Sequence, residues 1–131
     1  MGYTRTNLSS DVDDAAPKFG MPSEIEAHFG RSAIDGKTLG VTMFKLEPEF
    51  RVPFGHKHTE QEEVYVVVSG SANVKVDDEV VELGEWDAIR FDKNAMRNME
   101  AGPDGVVYLA FSAGTDSQDA EMVQDWWADG A

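Results

Sequence analysis

An all-β sandwich or barrel is the fold class this sequence predicts, and three observations carry it. From Lys37 to about Ser112, short apolar stretches rich in Val, Phe and Tyr are separated by Gly, Pro and Asp-Asp signals. Stretches of that length and spacing, with no helical pattern between them, read as strands of a sandwich or barrel. Asn73-Val74-Lys75-Val76 alternates polar with apolar residues, as a strand with one wet face does, and Asp77-Asp78 supplies a tight turn into Val80-Val81.

In chain order, residues 1–20 are polar, contain Pro17 and show no periodicity. They read as an arm, either loose or laid as an edge strand on a partner. In Pro22–Gly30, Ser23 stands three residues before Glu26 and Gly30 closes the segment, which predicts one or two helical turns with His28 on their surface. The expected strands are Thr38–Leu46, Phe50–Phe54, Val64–Val68, Ala72–Val76, Val80–Leu83, Ala88–Phe91, Met96–Glu100 and Val106–Phe111. Val64–Val68 is apolar on both faces and so reads as a central, covered strand. Over Asp119–Ala128, Met122/Trp126 and Val123/Trp127 are spaced four apart, which predicts one apolar face of a terminal helix. That face packs on its own barrel or on a second subunit. The organisation expected is an arm over 1–20, a barrel domain with its leading helix over 21–116, and an amphipathic helix over 117–131.

Composition narrows the function. A chain of 131 residues with 41% hydrophobic residues is one globular domain. The absence of cysteine excludes disulfides, thiolate metal sites and cysteine nucleophiles. The 25 acidic against 11 basic residues, a net charge of −14, disfavour nucleic acid and anionic membranes as partners. No apolar run approaches a membrane span and the N-terminus lacks a secretory h-region, so a cytoplasmic location is the expectation.

His56 and His58 are two of the three histidines and stand two apart beside a β pattern. On a strand that spacing sends both imidazoles to one face. Glu60, Gln61, Glu62 and Glu63 follow, and Glu63 shares the parity of Tyr65 and Val67. A register slip of one residue would select Glu62 instead. Two imidazoles and a carboxylate with open positions suit a first-row divalent ion such as iron, manganese, nickel or zinc.

The stretch GHKHTEQEEVYVVVSG, with His56-Lys57-His58, four residues, Glu63, six residues and Gly70, resembles the first motif of the cupin family. The family's leading Gly is replaced by Phe50. Gly84–Phe91 is similar to the first half of the second cupin motif, but the turn Asp92–Arg97 has no Pro, Gly or His. With a one-residue offset, Arg97 falls where the family places its fourth ligand; without it, Ala95 does. The wording QEEVYVVxSG, WDAxR and RNxEAGPxG is most similar to small bacterial single-domain cupins, and the resemblance spans roughly residues 38–112.

The resemblance implies a double-stranded β-helix, or jelly-roll, barrel flanked here by a short N-terminal helix and a C-terminal helix. It implies a divalent-metal site at His56, His58 and Glu63. Together with the tryptophan stripe it implies a homodimer. The function expected is that of a metal-dependent oxygenase or isomerase acting on a small organic acid or phenolic compound, with Arg97 and Tyr65 binding the substrate. The alternatives are a metal-free cupin that binds or senses a small ligand, with Arg97 paired to Glu63 in place of the metal, and a structural dimer with no ligand. Arg97 is charged at any working pH and must find an anion if it points inward: Glu63, or a substrate carboxylate or phosphate. Outward, it would meet the acidic surface. Trp86, Phe91, Met43, Met96 and Met99 are further candidates to line a pocket, with core packing the plainer reading of each.

Overall fold

The computed structural model describes residues 2–58, 61–114, 120–123 and 127. Eight strands follow one another: β1 Ile25–Phe29, β2 Leu39–Leu46, β3 Gly55–His58, β4 Glu62–Val76, β5 Glu79–Leu83, β6 Ala88–Phe91, β7 Arg97–Ala113 and β8 Ala120–Val123. All their pairings are antiparallel, and they join in one sheet that curls around the core.

The long strands β4 and β7 pair with each other along most of their lengths and form the spine. Over its first half β4 lies between β6 and β7, and over its second half between β5 and β7. The other edge of β7 takes β2 along its second half and β3 at its start. The run Val64-Tyr65-Val66-Val67-Val68 favours this role, because β-branched and aromatic side chains fit a pleated surface. Its inward set continues as Tyr65, Val67, Ala72 and Val74, all buried, and meets Phe91, Met99, Ala101, Val106 and Tyr108.

Sequence breaks at Gly70 and at Gly102-Pro103-Asp104-Gly105 bend these strands without ending them. Gly70 pairs with Val106 and Ala72 with Ala101, so residues 102–105 bulge opposite Ser71. Gly70 has φ +79, and a Cβ there would meet the Gly105 carbonyl oxygen at 2.0 Å. Gly70→Ala is therefore expected to cost roughly 2–5 kcal/mol, from left-handed backbone strain and overpacking together. A urea melt within 1 kcal/mol of the unsubstituted protein, as a rough limit, would contradict this.

The helix expected in Pro22–Gly30 is instead strand β1. Ile25 and Ala27 alternate inward with period two, and β1 pairs residue for residue with β2, from Ile25↔Leu46 to Phe29↔Thr42. A helix this short has little stability of its own, so pairing with β2 wins. Ser23 contacts its neighbour Glu24 and caps nothing. His28 is correspondingly buried, with Nδ1 2.6 Å from the Val12 carbonyl oxygen and Nε2 3.2 Å from Glu26 Oε1. Asp14 accepts from the backbone N–H groups of Ala16 and Ala27, so the arm lies on its own β1 through these contacts. The only helical segment among the described residues is a 3-10 turn over Ala16–Phe19.

The expected C-terminal helix is also corrected where the structure describes it. Ala120–Val123 is strand β8, paired with Gly55–His58. The backbone groups on that side of β3 need partners, and an extended segment supplies them. Trp127 is buried against its own barrel, whereas Met122 and Val123 of the same expected face are exposed. The Trp127 indole N–H donates to the Val52 carbonyl at 2.8 Å, and the Arg51 guanidinium stands 4.4 Å from the ring centroid. Trp126 lies outside the described residues. Phe50–Phe54 is not a strand; only Arg51 makes an isolated bridge, to Glu100.

Candidate functional site

Three strands bring the site together. β3 carries His56 and His58, β4 carries Glu63 and Tyr65, and β7 opens on Arg97, which stands directly opposite His56 in the sheet register. The alternation of β4 turns Glu63 inward with Tyr65, while Glu62 is exposed and pairs with Arg90 at 2.9 Å.

One carboxylate oxygen is the focus. Glu63 Oε1 is 3.3 Å from His58 Nε2 and 3.8 Å from His56 Nε2, and it accepts from Nη2 of Arg97. The nearest ligand atoms of His56, His58 and Glu63 all lie within 4.8 Å of one another. Around an ion with bonds of about 2.1 Å, adjacent ligand atoms stand about 3.0–3.4 Å apart, so this donor set could close on a metal with small side-chain movements. The two rings meet edge to face, with centroids 5.4 Å apart.

Arg97 closes the inner side of the cluster. Its side chain is 0% exposed, against 11% for Glu63 and His58 and 15% for His56, so solvent reaches the site on the histidine side. Nη1 donates to the Ala95 carbonyl at 2.8 Å, and the guanidinium stands 4.8 Å from the Phe91 ring centroid. Its Nε is buried without a hydrogen-bond partner. The Glu63 pair therefore supplies the anion that a buried guanidinium requires.

The electrostatics follow from burial, from the contacts between Glu63 and the two histidines, and then from Arg97. Burial alone would raise the Glu63 carboxyl, but its contacts with His56 and His58 and the charges of His58 and Arg97 outweigh it and hold the group well below the usual carboxylate range. Burial pushes the His56 imidazole down; Glu63 draws it back and Arg97 pushes it further down, with a lowered net value. Burial first, then the Glu63 charge, raises the Tyr65 phenol well above its ordinary value, so it remains a hydroxyl. Its oxygen is 3.3 Å from His56 Nε2.

Aromatic rings line the interior side. Tyr65 packs edge-on to Phe91 at 4.8 Å and lies 5.2 Å from Tyr108, which stacks on Phe44 at 5.1 Å. Tyr108 and Phe44 were not among the candidate residues. The signal was available in strand parity, since Tyr108 and Ala110 alternate inward along Val106–Phe111. Of the other pocket candidates, Met99 is fully buried in the core and Trp86 is 71% exposed at a turn.

The Cupin domain family model matches residues 42–110. No curated protein matches the sequence. Among solved structures, a cupin protein from Bacteroides fragilis is similar over 89% of this chain and 88% of its own, with a TM-score of 0.70 and 21% identity. KdgF from a Halomonas species is similar over 88% of this chain and 97% of its own, with a TM-score of 0.64 and 22% identity. Pac13 from Streptomyces, described as a nucleoside dehydratase, is similar over 78% of this chain and 80% of its own, with a TM-score of 0.64 and 18% identity. At these identities the likeness is one of fold. Among the described residues, no helix is long and apolar enough to cross a membrane.

Proposed function

This chain belongs to the cupin family, and from that premise we propose that it is a metal-dependent enzyme acting on a small organic acid. The observation that carries the reading is the convergence of His56, His58 and Glu63 within 4.8 Å on the solvent-reached side of a buried cluster. These three residues would hold the ion, and iron, manganese, nickel and zinc all suit nitrogen and oxygen donors. Such an ion supplies Lewis-acid polarisation of a bound oxygen atom.

The protein's own residues support this. With His56 neutral, its ring offers a lone pair to an ion. Glu63 ionises readily and provides the anionic donor. With neutral imidazoles, Glu63 and Arg97 cancel in charge, so a divalent ion leaves the pocket cationic and favours an anionic substrate. Tyr65 keeps its proton and offers a donor beside His56. Phe91 and Tyr108 cover the interior side and exclude water there. Pairing of two copies belongs to the same proposal, with the exposed Phe19 and Phe29, which pack edge to face where the arm lies on β1, as the meeting face.

A second reading, a metal-free cupin that binds a small ligand, is favoured by the Arg97–Glu63 pair, which balances the carboxylate without an ion. Turnover separates the two. Protein loaded with Fe²⁺, Mn²⁺, Ni²⁺ or Zn²⁺ is given small carboxylic acids and phenols, and products are followed by mass spectrometry with O₂ uptake. Turnover that disappears in His56→Ala/His58→Ala is expected. Turnover unchanged in that variant would contradict the metal reading.

A further inference from the structure

We infer that Arg97 is a built-in cation that competes with a divalent metal for Glu63, so that metal binding requires the Arg97–Glu63 pair to open. The inference rests on the proposed metal reading of the site and adds its regulation. Three observations carry it. Arg97 Nη2 donates to Glu63 Oε1, the same oxygen on which both histidines converge. Arg97 is wholly buried, so no water screens its charge from that oxygen. Apart from Glu63 it meets no other anion among the described residues: it donates to one backbone carbonyl, that of Ala95, it interacts with the neutral Tyr65 phenol, and Nε has no partner.

An ion that takes Glu63 must therefore overcome two costs. It displaces the charge-assisted bond from Arg97, and it places a second cation beside a buried guanidinium that has lost its anion. The site binds metal less tightly than the same three donors would without the arginine, and is strengthened by whatever removes or neutralises the Arg97 charge. Because position 97 stands opposite His56 in register, a shorter imidazole there would face the same cluster and add a donor.

Zinc alone is the probe. Isothermal titration with Zn²⁺ is run on the unsubstituted protein, Arg97→Gln, Arg97→His and Arg97→Lys. Glutamine is expected to tighten Zn²⁺ binding by about tenfold or more, because a buried charge is removed at close range. Histidine should tighten it further, and lysine, which keeps the charge, should leave it within about threefold. Zn²⁺ is also expected to raise the melting temperature of Arg97→Gln more than that of the unsubstituted protein. This keeps the test usable if the metal-free variant is too unstable to titrate. Zn²⁺ binding by the unsubstituted protein that is no tighter in the glutamine and histidine variants would overturn the competition and leave the metal reading standing. No Zn²⁺ binding by any of the four proteins would overturn both.

Discussion

Replacing Arg97 with leucine is expected to cost the metal-free protein about 3–5 kcal/mol of folding stability. The guanidinium is wholly buried and is the cationic partner of Glu63, whose side chain is 11% exposed. Leucine fills part of the volume beside Phe91 but leaves a carboxylate in a poorly solvated place with the histidines alone. Glu63→Gln in the same chain should restore at least half of the loss, because it removes the stranded charge. Urea melts of the two single variants and the double variant measure the coupling directly. Losses that simply add would contradict the pairing.

Glu63, held ionised mainly by His56 and His58 and further by Arg97, also sets a response to acid. Glu63 is held below its ordinary value, so its contribution is complete at pH above the unfolded value of about 4.3. That contribution is lost as the pH falls below this value toward the folded one. In Arg97→Leu the acid-sensitive part of the stability curve should shrink, since part of what holds the carboxyl ionised has gone.

The second large effect concerns the histidines. His56→Ala/His58→Ala removes two of three donors and leaves one carboxylate, already engaged by Arg97. Zn²⁺ affinity is expected to fall by on the order of a hundredfold or more, since loss of mere supporting contacts to metal ligands costs about 10–100-fold. His28→Ala is the control. That histidine lies on β1 and is held by the Val12 carbonyl and Glu26, so its loss should leave metal binding unchanged. Equal losses in the two variants would point to a general effect on folding.

Much of the site was legible because strand alternation is a strict rule. The His-x-His spacing and the shared parity of Glu63, Tyr65 and Val67 need no long-range information. What Arg97 meets was not legible from spacing. Its position opposite His56 depends on the pairing of β3 with β7, strands separated by the whole β4–β6 meander. The two helical expectations failed, the second of them over the described residues 120–123, for a related reason. Ser23/Glu26 and Met122/Trp126 are helical spacings in short windows, but β2 and β3 offered unpaired edges to those segments, and pairing decided the outcome. The breaks read at Gly70 and at 102–105 were real features whose effect was to bend β4 and β7.

Metal content tests the central claim most directly. Untagged protein, purified without chelator and then incubated with a mixture of Fe²⁺, Mn²⁺, Ni²⁺ and Zn²⁺ before desalting, is measured by inductively coupled plasma mass spectrometry. His56→Ala/His58→Ala is treated in parallel. The account predicts retained divalent metal approaching one ion per chain, absent from the double variant. No metal in either protein, or equal metal in both, would contradict it.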